Sequence, residues 1–397
     1  RALSAYPVGD ASGMVKLDAM ENPHQWSAEL KQAWAEKLQQ ADINRYPHPQ
    51  APKVKAGLRK AMNIPEEFDC LLGNGSDEII QLLAMLVAKP GAKIMAPEPG
   101  FVMYKMIATF CGVDHVGVPL TADFELDMPA MLKCINEQQP ELIFLAQPNN
   151  PTANLYSESQ LRELIQASQG LVIMDEAYLP FSSRNHLHFL AEFDNVLVMR
   201  TLSKVGLAGL RLGMIFGRSE WLSELDKIRM PYNINVLTQI SAEFALEHYE
   251  ILLGQCEQIK QQRTRMDSAL TELGFKCYKS EANFILARAD MEFEGQAKEI
   301  FEQLKQHNVL IKCLAGGHPL LENCLRFTVG TEQENMVLLE ALADIYNIDV
   351  INRSDKKAAI IGLESNQLLR LFYALFRAKL ERLSASSGSS LDYLSVP

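Results

Sequence analysis

Val196-Leu197-Val198-Met199 runs through Arg200 into Thr201-Leu202-Ser203-Lys204, with Arg211 a short way beyond. The four apolar residues read as a buried strand, because a short, wholly apolar run suits a strand covered on both faces. A lysine where such a strand ends lies at the rim of a sheet and is partly withdrawn from water. Desolvation disfavours its ammonium form, so the amine is prepared to attack a carbonyl. The hydroxyls of Thr201 and Ser203, with the fixed charge of Arg211, suit a phosphate. A solvated surface lysine is the ordinary reading of an isolated Ser-Lys pair, so the weight falls on what the rest of the chain places nearby.

Outward from this stretch the same pattern repeats. Apolar runs recur at Cys70–Leu72, Lys93–Ala96, His115–Leu120, Leu142–Ala146, Leu171–Met174 and Gly213–Phe216. Helical patterns such as Glu78–Val87 and Ser157–Ala167 separate most of them. The alternation predicts an α/β fold: a mostly parallel seven-stranded sheet with helices on both faces. Five of these strand ends lead into polar or turn-forming segments: Gly73–Glu78, Pro97–Phe101 with Tyr104 beyond, Gln147–Thr152, Asp175–Tyr178 and Thr201–Lys204. Ligands of open α/β sheets bind outside the carboxyl ends of the strands, so the five predict one composite pocket.

Each segment has a chemical reading and a plain one. Gly75-Ser76-Asp77 at a helix start offers free N–H groups and a positive dipole end to a phosphate, or is an ordinary N-cap. Asp175 closes an otherwise apolar strand and needs a cationic partner. A protonated pyridine nitrogen satisfies it, as does a structural ion pair. Tyr178 and Asn150 suit a phenolic oxygen from two sides, and Tyr104 suits a ring face or the core. An amine beside a phosphate grip is what an enzyme using pyridoxal phosphate requires.

Together GNGSDE (73–78), PNNPT (148–152), DEAY (175–178), TLSKVGLAGLRLG (201–213) and LRFTVGT (325–331) resemble the fold-type I pyridoxal-phosphate-dependent aminotransferases. Within them the chain is most similar to the histidinol-phosphate enzymes of histidine biosynthesis, over about residues 2–347. The resemblance implies that Lys204 carries the cofactor and shuttles a proton, and that Asp175 keeps the ring nitrogen protonated. It implies that Tyr178 and Asn150 bind the ring hydroxyl and that Tyr104 stacks on the ring. Gly75, Ser76, Thr201, Ser203 and Arg211 would hold the cofactor phosphate beside Asp77. Tyr46, in RYPHPQ, would reach that phosphate from the partner subunit of a homodimer. Arg326, with Lys312 and Asn22, would bind substrate. The implied reaction converts L-histidinol phosphate and 2-oxoglutarate to imidazole-acetol phosphate and L-glutamate. An aromatic amino-acid aminotransferase, a related phospho-amino-acid decarboxylase and a non-catalytic cofactor-binding regulatory module are the alternatives. Several positions depart from the commonest pattern: a Lys204-to-Arg211 spacing one residue short, Ala153 in place of Gly, LDAMENPH (17–24) where LNxNENPYG is typical, and Lys312 in place of Arg.

Composition bounds the rest. At 397 residues and 48% hydrophobic, the chain suffices for two or more domains with a large core. The net charge of −11 argues against nucleic acid or an anionic membrane as partner. No run approaches the ~18 apolar residues of a membrane span, and no signal peptide is recognisable. Cys70, Cys111, Cys134, Cys256, Cys277, Cys313 and Cys324 include no CxxC pair, which suits thiols in a reducing cytoplasm rather than disulfides or zinc. His186 and His188 read as an exposed loop. The chain opens on Arg1, so a longer parent chain is expected.

Residues 1–44 read as an N-terminal arm with a helix through Leu30, Trp34 and Leu38, joining the smaller domain. Residues 45–250 read as the large cofactor-binding domain and 251–347 as a small α+β domain. Residues 348–397 form an extension of unassigned role, with an amphipathic stripe from Leu368 to Leu380.

Overall fold

A computed structural model of the protein describes residues 9–289 and 296–346; the 348–397 extension and its stripe lie outside the described residues. A short strand, β1 (Val15–Lys16), precedes β2 (Asp69–Asn74), β3 (Lys93–Glu98), β4 (Asp114–Pro119), β5 (Leu142–Ala146), β6 (Leu171–Asp175), β7 (Val196–Thr201) and β8 (Leu212–Gly217). These last seven form one sheet in the order β2-β8-β7-β6-β5-β3-β4. Every strand of it but β8 points the same way. The exception has a physical cause. A parallel neighbour needs a crossover of a dozen or more residues, whereas β7 returns through residues 202–211 alone and can only reverse. The lysine stretch occupies that short return.

Successive residues of each strand face opposite sides, and both sides are dry except along the edge strand β4. Ile143, Leu145, Val172, Met174, Val198 and Met214 belong to one apolar core, and Phe144, Ile173, Leu197, Met199 and Ile215 to another. Helix Ser76–Val87 and helix Val102–Phe110 cover the second face, while Glu158–Ala167 and Tyr249–Glu272 cover the first. Burial on both faces explains why the runs are continuous rather than alternating.

Beyond the long helix come β9 (Lys276–Cys277), β10 (Phe284–Arg288), β11 (Val309–Leu310), β12 (Lys312–Cys313) and β13 (Cys324–Thr328). A second, antiparallel sheet runs β12-β13-β10-β9. From its two faces Phe284 and Leu286, and Leu325 and Phe327, all join the first core.

The arm divides between the two sheets. β1 pairs in parallel with β11 beside the smaller sheet, and Thr328 N–H donates to the Leu17 carbonyl at 3.0 Å. Helix Ala28–Leu38, capped by the Ser27 hydroxyl, turns instead to the helix Val236–Glu247. There Trp34 Nε1 donates to Ser241 Oγ at 2.8 Å and Trp26 packs on Phe244. The apolar stripe that predicts this helix is therefore real, yet none of its residues is fully buried.

Candidate active site

The carboxyl ends of β5, β6 and β7 and the loops after β2 and β3 converge on a cavity of about 240 Å³. Ser76, Asp77, Tyr104, Asn150, Asp175, Tyr178, Thr201, Ser203, Lys204 and Arg211 line it, with Phe101 on one wall. Arm residues Ala19, Met20 and Glu21 roof it. Residues distant in sequence thus meet because the sheet brings its strand ends together.

One end of the cavity suits an anion. Gly75 caps helix Ser76–Val87 with φ +83°. A Cβ there would lie 2.5 Å from Arg211 Nη2, so only glycine lets the guanidinium lie against the helix start. Arg211 also meets Asp77 Oδ2 at 3.3 Å. Thr201 Oγ1 donates to Ser203 Oγ at 2.9 Å and accepts from Ser203 N–H at 3.1 Å.

Lys204 stands at the middle. It lies in an irregular turn, Ser203–Leu207, broken at Gly206 with φ +130°. Its Nζ is 3.3 Å from the Ala19 carbonyl and 5.6 Å from the Tyr178 ring centre. Burial, and next the Arg326 charge, bring its pKa down to about 8. A usable fraction of free amine therefore exists near neutrality.

Asp175 forms the floor and is 5% exposed. Burial pushes its carboxyl up to about 6, against the hydrogen bonds from the Tyr104 hydroxyl and the Ala177 N–H. A fully enclosed acid of this kind is ready to be ionised by a cation brought to it. Asn150 Nδ2 donates to the Tyr178 hydroxyl at 3.1 Å, and Asn150 Oδ1 accepts from Arg326 Nη1 at 2.7 Å. Ala153, where glycine is usual, is fully buried at φ +64° and holds the left-handed conformation that glycine adopts freely.

Tyr104 and Asn22 hold other positions than those expected of them. Tyr104 is 2% exposed, its ring lies flat on Phe144 at 4.5 Å, and its hydroxyl donates to Asp175 Oδ2 at 2.6 Å. With one face covered and its edge toward Asp175, it is no ring platform; Phe101, edge-on to it at 5.4 Å, is the aromatic on the cavity wall beside it. The Phe101 position follows a strand end as Tyr104 does, but a sequence pattern does not say which aromatic faces inward. Asn22 donates to the Val205 carbonyl at 2.9 Å and to Gln255 Oε1 at 3.1 Å. It also accepts from His24 N–H. It thus pins the arm behind the lysine turn and lines a neighbouring cavity instead.

Three more expected residues lie outside the cavity wall. Arg326 on β13 is buried and reaches it through Asn150, while its Nη2 donates to the Asp18 carbonyl at 2.9 Å. Lys312 on β12 is the direct cross-strand partner of Arg326, which sets both cations on one face of the sheet. Tyr46 is 81% exposed and stacks on Tyr232 at 4.6 Å.

Of the two histidines expected in an exposed loop, His188 is exposed and His186 is not. His186 is fully buried and its Nδ1 lies 3.0 Å from Glu176 Oε1, with Arg200 at 2.8 Å from Oε2. Burial raises the Glu176 carboxyl, but Arg200 and His186 more than offset this and hold it below its ordinary value. The signal was Glu176 itself: a carboxylate following a buried strand cannot be left unpaired.

Residues 12–342 match the family described as Aminotransferase class I and II. The chain is 52% identical over 341 residues to histidinol-phosphate aminotransferase 2 of Nitrosococcus oceani, covering 86% of this chain and 94% of that one. It is 47% identical over 342 residues to the histidinol-phosphate aminotransferase of Chromobacterium violaceum, covering 86% and 95%. The crystal structure of histidinol-phosphate aminotransferase from Sinorhizobium meliloti in complex with pyridoxal-5'-phosphate superposes with a TM-score of 0.77 at 22% identity, covering 86% and 96%, a likeness of fold. With its seven-stranded sheet and the cavity at the strand ends, the chain belongs to the class I and II aminotransferase family.

Proposed function

We propose that this aminotransferase uses pyridoxal phosphate to move an amino group between L-histidinol phosphate and 2-oxoglutarate. One observation carries the reading. Lys204, with its amine pKa near 8, lies in a single cavity between an anion-accepting end and a buried acid floor. The fit to the cofactor is chemical. Ser76, Thr201, Ser203 and Arg211 would hold its phosphate, Asp175 its pyridine nitrogen, Asn150 and Tyr178 its ring oxygen, and Phe101 a ring face. Gly75 makes the close approach possible. When bound, the cofactor supplies an electron-accepting ring that stabilises charge at the carbon losing its proton. The chain's part is to hold that ring, to keep Asp175 ionised against it, and to carry the proton on Lys204 Nζ.

The substrate end rests on Arg326 and Lys312. Histidinol phosphate ends in a phosphate and glutamate in carboxylates, so one cationic site serves both. A guanidinium fork accepts either group bidentately, and the Lys312 ammonium beside it adds a second charge for the dianion. Lys312→Ala is expected to lower kcat/KM for histidinol phosphate by about tenfold and for glutamate less. Equal losses would remove this role from Lys312. A tenfold or greater preference of the wild type for phenylalanine or tyrosine would replace the substrate.

The reading includes a homodimer in the cytoplasm, with the domain boundary near residue 250. Tyr46 with Ile43 and Met230, which are 78% and 72% exposed, forms apolar surface that one subunit leaves to water. A Tyr46 serving its partner's site makes a distinct expectation. Mixed dimers of inactive Tyr46→Ala and inactive Lys204→Ala chains should regain activity, because one of their two sites has both residues. Verified heterodimers without activity would return Tyr46 to its own subunit.

A further inference from the structure

The floor of the cavity has a second layer. Asp175 Oδ1 accepts from the Ala177 N–H at 3.1 Å and Oδ2 from the Tyr104 hydroxyl at 2.6 Å. Both oxygens are therefore tied, and the carboxylate plane cannot turn while its remaining lone pairs stay available. The Tyr104 ring is itself fixed, flat on Phe144 and edge-on to Phe101. A donor so immobilised costs little further entropy when it acts.

We propose that Tyr104 is the positioning residue of Asp175, holding the acid ionised and oriented for a cationic ring nitrogen. The inference rests on the proposed cofactor. Its charge environment leaves the donor much to do. Burial, Asp77 at the start of helix Ser76–Val87 and the adjoining Glu176 all oppose ionisation of Asp175. Lys204 and Arg211 line the same cavity from the β7–β8 return. Tyr178 and Tyr156 are the other ionisable groups near Tyr104. Of these, the Tyr104 hydroxyl is the side-chain hydrogen bond that counters Asp175's burial. The phenol stays protonated, because burial and Asp175 hold its own pKa well above the ordinary value. It is thus a donor at every working pH.

The test is an absorbance titration of cofactor-free enzyme with pyridoxal phosphate across a pH series. Tyr104→Phe keeps the ring packing and removes only the hydroxyl. It is expected to weaken cofactor affinity about tenfold near neutrality. The low-pH loss of affinity should begin about one unit higher, since Asp175 then protonates earlier. Placing 3-fluorotyrosine at position 104, a stronger donor of nearly the same shape, should move that limit the other way. In an Asp175→Asn background, Tyr104→Phe should change affinity less than about twofold, because the partner is gone. A merely structural tyrosine would lower affinity equally at every pH and in both backgrounds, and that result overturns the role. Wild-type enzyme that takes up no cofactor would count against the proposed function itself, whereas normal uptake with unmoved pH limits rejects Tyr104 alone.

Discussion

Lys204→Ala is expected to fold and to take up pyridoxal phosphate, yet to lose it completely after borohydride treatment and denaturation. The contacts proposed for the phosphate lie on Ser76, Thr201, Ser203 and Arg211, none of which the substitution touches. What disappears is the one amine in the cavity with a lowered pKa. Turnover should fall by at least about a thousandfold, since both the covalent anchor and the proton carrier are lost. In the wild type, borohydride should fix the cofactor to Lys204 alone, as mass spectrometry of the digested protein would read. The sign of the pH effect follows from burial: reactivity of the amine toward carbonyl reagents should rise through about pH 8. Label at another lysine would end the assignment.

Asp175→Asn should be nearly as damaging by a different route. The amide keeps the shape and its oxygen can still accept from the Ala177 N–H, but its NH2 cannot accept from Tyr104 and it carries no charge to hold a pyridine nitrogen protonated. A preorganised charge in a dry site contributes about 3 kcal/mol or more at the transition state, on the order of a hundredfold or more in kcat. Cofactor binding should suffer less, because the phosphate end is untouched. Near-normal turnover of Asp175→Asn would give this task to another group.

Much of the fold is legible in the chain because continuous burial leaves a plain mark. Seven apolar runs fall on seven strands, and the strand-end residues that carry chemistry fall around one cavity. What stays hidden is orientation. Phe101 and Tyr104 lie three positions apart on the same segment, and only packing against Phe144 decides which becomes wall and which becomes support. The resemblance makes Asn22 a substrate ligand, yet its amide donates to the Val205 carbonyl and to Gln255, partners remote along the chain. The pairing of β1 with β11 is invisible for the same reason, being two residues long at each end. Buried charge is the intermediate case: Glu176 announces that partners exist without saying that they are Arg200 and His186.

The arm's backbone bears on what the site will admit. The Asp18 and Ala19 carbonyls already sit on Arg326 and Lys204. Any newcomer must therefore compete with a neutral occupant rather than with bulk water. A neutral group that displaces a carbonyl exchanges like for like and gains next to nothing. A carboxylate or phosphate exchanges a bond in which only the donor is charged for one in which both partners are charged. The roof thus acts as an ante that only anions can outbid, sorting solutes by charge before any side chain of the substrate has been felt.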